Sequence, residues 1–298
     1  MMRSFNDILD EAGKLTESVM VVPDPRSDRV VSAVHEAKQV GLVVPILIGD
    51  QLSINKKLSS LNIHTDGYRI IDEPDTSRAL TRSIELIHQK EADIIFQGDT
   101  ESKDFLQAVT NNTNGIATAQ SLSYVSLFEL PSQNRLILLT DTYIQEFPNV
   151  QQKLTILNNA ISLANSLGIE TPKVAALSMV ELVNPNFIST LDAAILSKMS
   201  ERKQINAIVD GPLDIDCASS LERAARKGVQ SSVSGEVDIY LFHDIESGYS
   251  VTELTVFLGK AAAAGALMGS DIPIILNISF ETGHSLLVDI ALARLRKR

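Results

Sequence analysis

Short apolar runs of strand type alternate with helical patterns along most of the chain, and few fold classes can satisfy that order. Ser18–Val22, Val44–Ile48 and Tyr68–Ile71 read as strands, with helical patterns over 27–40, 51–60 and 76–89 after them. Asp93–Phe96 is a further strand that ends at Gln97-Gly98-Asp99, and Ser102–Val109 is the helix behind it. A strand covered on both faces shows as a continuous apolar run, whereas the helix covering it shows an apolar stripe such as Leu80, Ile84 and Ile87. Strands joined through helices of this length pair as parallel neighbours with crossover connections. The expected fold is therefore α/β, with mainly parallel sheets flanked by helices.

The alternation breaks between Leu122 and Thr140. The runs SYVSLFEL and RLILLT are separated only by Pro131-Ser132-Gln133-Asn134, a spacing that predicts a hairpin. Beyond it Asn149–Leu167 is a long helix closed by Gly168. Val174–Leu177, Ala207–Val209 and Ile239–Phe242 are strands, and Phe187–Met199, Ala218–Lys227 and Val251–Leu267 are helices. A chain of 298 residues can bury two cores. We expect one α/β lobe from residues 1–132 with 270–298, and a second from 133–269, so that the last strand and helix return to the first lobe.

The formal net charge of −11 argues against nucleic acid as a partner, because a phosphate backbone requires a basic surface. A single cysteine, Cys217, rules out an internal disulfide and reads as a small core residue. The first residues, MMRSFNDILDEAGKL, place acids inside the apolar pattern and do not form a signal peptide. The run Ala261–Met268 is too short to span a membrane. A cytoplasmic protein without membrane partners is expected. There is no GxxxxGK[ST], no GxGxxG after the first strand and no GxSxG. The histidines, His35, His64, His88, His243 and His284, are scattered without metal-ligand spacing, so no metal site is expected.

What remains are polar loops at strand ends, the usual location of ligand sites in α/β sheets. Thr140-Asp141 offers a carboxylate, with helix or loop capping as the structural alternative. Asp210-Gly211-Pro212 is a sharp turn after a strand, whether rigid scaffold or ligand contact. Asp244–Tyr249 opens a helix whose Lys260–Ala266 run of small residues suits close helix packing. The last loop follows the strand Pro273-Ile274-Ile275-Leu276 and runs from Asn277 to Gly283. An amphipathic helix then starts near His284 or Ser285, with Leu286, Leu287, Ile290, Ala291 and Leu295 on its apolar face. Free N–H groups at such a helix start favour an anion.

Several stretches, taken in order, resemble the phosphate acetyl/butyryl transferases, the butyryl branch most closely: GLVVPILIGD at 41–50, ADIIFQGDTESKDFLQAV at 92–109, RLILLTD at 135–141, VELVNPNFISTLDAAILSKM at 180–199, VDGPLDIDCA at 209–218, and SGEVDIYLFHDIESG at 234–248. The resemblance covers nearly the whole chain. It implies two lobes with an active-site cleft between them, and acyl transfer between coenzyme A and inorganic phosphate with no bound cofactor or metal. It also implies a homo-oligomer. Certain positions depart from the family. Its Ser-Arg pair after the last strand is Ile278-Ser279 here. Its Lys-Gly is Gln97-Gly98, its Gly-Asn followed by lysine is Gly248-Tyr249 with Glu253, and its Asn after Thr-Asp is Gln145.

On that resemblance Asp141 and Glu281 are candidate carboxylates for thiol deprotonation. Ser279, Thr282 and Ser285 are candidate donors to phosphate or the oxyanion, and His284 is a replacement cation or acid/base. Gln97, Gly98, Gln145, Asp210, Gly211, Pro212 and Gly248 are the expected substrate contacts, and all these loops should line one cleft. The rival reading is a catalytically impaired relative that binds acyl-CoA or a related metabolite as a sensor or partner. Acyl chain length is not legible.

Overall fold

The computed structural model describes residues 1–130, 134–278 and 283–296. In chain order the first elements are α1 (Phe5–Gly13), β1 (Ser18–Pro23), α2 (Asp28–Gln39), β2 (Val43–Gly49), α3 (Gln51–Ser60), β3 (Arg69–Asp72), α4 (Thr76–His88), β4 (Ile94–Phe96) and α5 (Ser102–Val109). Next come β5 (Ser123–Leu130), β6 (Arg135–Thr140), α6 (Val150–Ser166), β7 (Lys173–Leu177), α7 (Ile188–Glu201), β8 (Ile208–Leu213), α8 (Ile215–Ser219), α9 (Leu221–Arg226), β9 (Ile239–Leu241) and α10 (Ile245–Phe257). The chain closes with β10 (Ala263–Met268), β11 (Ile274–Ile275) and α11 (Gly283–Leu295).

Two compact units divide these elements. Unit I holds 5–121 and 264–298, and unit II holds 1–4 and 122–263. In unit I the strand order is β3-β2-β1-β4-β11-β10. All its neighbours pair in parallel except β10 with β11. The core strands are apolar on both faces, as in Met20, Val21, Val22, Ile46, Leu47, Ile48 and Ile94–Phe96, all buried, because helices cover both sides. In unit II the order is β5-β6-β9-β7-β8, parallel except for the β5–β6 hairpin. Cys217 lies in its core with Phe128, Leu139, Leu213 and Val233.

The units part at 121/122 and 263/264, whereas the sequence placed the boundaries at 132/133 and 269/270. The hairpin explains the shift. β5 and β6 are paired from Ser126↔Leu139 to Leu130↔Arg135, so the strand before the turn cannot be separated from the strand after it. The expected helix over Val251–Leu267 is a larger departure. α10 stops at Phe257, Lys260 takes a positive φ of 51°, and Ala263–Met268 is a wholly buried strand. The small residues thus serve a strand covered on both faces, a case that periodicity does not separate from a buried helix. The helix expected over 218–227 is two short ones, α8 and α9. Ser220 ends the first with an extended backbone and caps the second by accepting from Arg223 N–H.

α11 begins at Gly283 and is not amphipathic: residues 285–295 are all buried, packed between α1, α2 and the sheet. It carries two buried charged groups with backbone partners. Asp289 Oδ1 accepts from Gly265 N–H at 2.7 Å, and Arg294 Nη2 donates to the carbonyls of Leu15 and Thr16 at 2.8 and 2.7 Å. No helix among the described residues is long and apolar enough to cross a membrane.

Candidate active site

In unit I, β1 and β4 are parallel neighbours at the point where the strand order reverses, so the loops after them meet. Asp99 dominates this junction. Its Oδ2 accepts from the N–H groups of Arg26 (2.6 Å) and Ser27 (2.7 Å), beside the start of α2. The chain's own carboxylate therefore occupies the N–H groups that lead into α2. Gln97 is buried. Its Nε2 donates to Thr100 O and Ser102 Oγ, and its Oε1 accepts from Asn277 N–H at 2.9 Å. Asn277 Nδ2 donates in turn to Gly98 O at 2.5 Å. Gly98 has φ +66°, and a Cβ there would lie 1.9 Å from Pro23 O. Gln97 and Gly98 thus meet the start of the last loop at Asn277, with both amide ends of Gln97 occupied by protein.

Gly98→Ala should be severely destabilising, by about 2 kcal/mol or more, since both the left-handed backbone and the contact with β1 forbid a side chain. Thermal melts would check it.

Sequence reasoning missed a cation at this loop. Arg29, on the first turn of α2, donates from Nη1 to Ile278 O at 2.8 Å and from Nη2 to Asn277 Oδ1. Its position just after the Pro-Asp-Pro-Arg-Ser-Asp turn of β1 was the available signal. Ile278, where the family carries serine, is 1% exposed. Ser279, Glu281 and Thr282 lie outside the described residues. His284 is exposed and Ser285 is buried, both on the first turn of α11.

In unit II the loop after β6 is organised by Asp141. Its Oδ1 accepts from the N–H groups of Tyr124 (3.2 Å), Tyr143 (2.8 Å) and Ile144 (3.1 Å), and its Oδ2 from Gln145 N–H (3.0 Å). The carboxyl is 3% exposed. Burial raises its pKa to about 6, against the pull of those backbone donors. Gln145 Nε2 donates to Leu122 O at 2.9 Å. Gly248 packs on the same loop, where a Cβ would lie 2.3 Å from Asp141 O. Asp141, Gln145 and Gly248 are therefore one cluster, and the capping alternative describes what the Asp141 carboxylate does in it.

Asp210, Gly211 and Pro212 were expected in a sharp turn after a strand. They lie inside β8, not in a turn after it. Asp210 pairs with Ala175 and Leu213 with Leu177, so Gly211 and Pro212 together oppose Ala176. This bulge is what admits a proline into the strand, and Gly211 fits because a Cβ would meet Ala176 O at 2.6 Å. Asp210 accepts from the N–H groups of Gly211 and Ser232. Directly after β8, Asp214 caps α8 by accepting from Cys217 N–H at 2.7 Å.

Beyond the parallel ends of β7, β8 and β9 lies a groove of about 610 Å³, lined by Leu177, Ser178, Asp214, Phe242, His243 and Val251 among others. Beneath it Lys153 Nζ is 2.6 Å from Asp192 Oδ2 and 2.6 Å from His243 Nδ1. Sequence reasoning passed over this cluster, although Lys153 stands on the apolar stripe of α6 with Ile156, Leu157 and Ala160, and a lysine there was a signal. Glu181, Asp214 and Cys217 could converge on a cation, but the Lys227 ammonium is already ion-paired with both carboxylates. Burial pushes the Cys217 thiol up to about 12, which removes it as a nucleophile at neutral pH.

The family model described as "Phosphate acetyl/butaryl transferase" matches residues 4–85 and 76–279. A phosphate butyryltransferase of Clostridium acetobutylicum is 35% identical over 296 residues, 99% of this chain and 98% of that protein. A phosphate acetyltransferase of Thermotoga maritima is 32% identical over 290 residues, covering 97% and 98%. In fold, a branched-chain phosphotransacylase from Enterococcus faecalis superposes with a TM-score of 0.81 at 23% identity, over 94% of this chain and 98% of that one. A phosphotransacetylase from Streptococcus pyogenes gives 0.80 at 21% identity, over 99% and 98%. This chain belongs to the phosphate acetyl/butyryl transferase family, and it is an acyltransferase of that class.

Proposed function

We propose that this protein moves a short acyl group between coenzyme A and inorganic phosphate, with butyryl-type thioesters ahead of acetyl. A phosphate oxygen attacks the thioester carbonyl, the tetrahedral oxyanion collapses, and the C–S bond breaks. The products are an acyl phosphate and the coenzyme A thiolate, which takes up a proton. The observation that carries this reading is the match to a phosphate butyryltransferase along essentially the full length of both chains. The test is a series of acyl-CoA thioesters with phosphate, following free thiol.

The roles of individual residues belong to the same proposal. Asp141, whose lone pairs are committed to backbone N–H groups, positions the loop that carries Gln145 and supports Gly248. Glu281 is then the carboxylate proposed as base. Ser279, Thr282 and Ser285 are the proposed donors, and His284, on the first turn of α11, is the proposed cation or acid/base. Arg29 supplies positive charge at the root of this loop. Replacing it by methionine should raise the KM for phosphate about tenfold with a smaller effect on the KM for acyl-CoA, because a guanidinium contact to an oxyanion contributes on the order of 1.5–3 kcal/mol. Steady-state kinetics in both substrates would check it.

A homo-oligomer is also proposed. Met179, Leu182, Val183 and Ile188 are all more than half exposed within unit II, an apolar cluster of the kind that marks a protein interface. Sedimentation of the wild type beside Leu182→Asp tests it. A cytoplasmic location fits the substrates.

A further inference from the structure

The groove beyond β7, β8 and β9 holds one polar group whose bonding is fixed from below. Lys153 is 2% exposed and Asp192 is 7% exposed, and they form an ion pair. An ammonium has only donors to give. In the contact between Lys153 Nζ and His243 Nδ1, the imidazole must therefore accept, and its single proton resides on Nε2. His243 lines the groove, and its Nε2 has no hydrogen-bond partner among the described residues. Burial, and then the adjacent Lys153 charge, hold the imidazole below the usual histidine range and keep the ring neutral.

The other polar side chains that line the groove are engaged. Ser178 and Ser189 hydroxyls bond each other at 2.8 Å. Asp214 is paired with Lys227 and Asp216 with Arg223, and Asp244 caps α10 through Ser247. Asp244 and Asp192, with Lys153, are the charged groups that act on His243. An acidic rim disfavours a phosphate, whereas an apolar floor with one neutral N–H donor suits an uncharged carbonyl.

We propose that this groove binds the uncharged arm of the acyl donor, an apolar chain bearing amide or thioester carbonyls, and that His243 donates to one such carbonyl from Nε2. The assignment rests on the acyltransferase reading for its choice of ligand. It makes His243 a binding residue set by Lys153 and Asp192, which position it.

Two measurements test this. Long-range ¹H–¹⁵N spectra of the histidine-labelled wild type should show His243 as the Nε2–H tautomer at pH 7–8. Pantetheine, which carries the amides without the nucleotide, should shift that signal, whereas 3′-phospho-ADP should not. In titration calorimetry, His243→Phe should weaken pantetheine binding about tenfold, as expected for one lost hydrogen bond of roughly 1.4 kcal/mol, while His243→Gln retains most of it. An Nδ1–H tautomer, a response to 3′-phospho-ADP alone, or pantetheine binding unchanged in His243→Phe would overturn the proposal. Phosphate-dependent turnover alongside any of those results would leave the acyltransferase reading standing. Pantetheine captured at His243 without turnover would support the groove and remove the enzyme reading.

Discussion

Ser279→Arg is expected to raise kcat/KM for phosphate by roughly a hundredfold, about 2.7 kcal/mol of added transition-state stabilisation. The family places an arginine at this position, and a guanidinium can hold two phosphate oxygens in one plane, which a hydroxyl cannot do. Ser279 itself lies outside the described residues, but the residue before it constrains the design. Ile278 is buried and its carbonyl accepts from Arg29. Restoring the family's serine there as well would leave a polar group in an apolar site and cost on the order of 2–4 kcal/mol of stability. The single variant is therefore the informative one, and steady-state kinetics with acetyl-CoA and butyryl-CoA checks it. Wild-type turnover that already matches a relative carrying the Ser-Arg pair would sink this account of the loop.

Asp141→Ala should destabilise the protein by on the order of 4 kcal/mol or more, because it strands the N–H groups of Tyr124, Tyr143, Ile144 and Gln145 in a buried loop. Asp141→Asn isolates the charge. The folded pKa of about 6 lies above the ordinary value of 3.8, so the native state favours the protonated acid. Its contribution to stability is full below about pH 3.8 and is lost as pH rises through 6. The loss approaches ~3 kcal/mol at neutral pH. Denaturant unfolding at a series of pH values should therefore show a fall in stability between pH 4 and 7 that Asp141→Asn lacks. Parallel pH profiles for the two proteins would rule out a buried ionisable carboxyl here.

The alternation of strands and helices was legible because each βαβ unit repeats the same physical pattern: a strand apolar on both faces, then a helix with one apolar stripe. Legibility ended where two physical solutions share one pattern. The Lys260–Ala266 run is equally apolar as helix or strand, and only its neighbours in the sheet decide. Asp210-Gly211-Pro212 carries every mark of a turn, yet a bulge opposite Ala176 places it within β8. The site was legible at the level of loops and not of roles. Gln97, Gly98 and Asn277 do meet, and so do Asp141, Gln145 and Gly248, but their polar atoms bond largely to the protein itself. Arg29, which ties down the last loop through Ile278 O and Asn277 Oδ1, and His243, which lines the groove, were hidden for different reasons. Arg29 stands among ordinary helix-start charges. His243 depends on Lys153 and Asp192, which lie 90 residues and 51 residues away in the chain, and no local spacing records that meeting.

The central claim is acyl transfer from a coenzyme A thioester to inorganic phosphate. Its most direct measurement is free thiol release from butyryl-CoA in the presence and absence of phosphate, with the acyl phosphate trapped by hydroxylamine as the hydroxamate. The account predicts release that requires phosphate, hydroxamate formed in equal amount, and a faster reaction with butyryl-CoA than with acetyl-CoA. Absence of phosphate-dependent release from every thioester between acetyl and hexanoyl, by protein that is folded and binds coenzyme A, would contradict it.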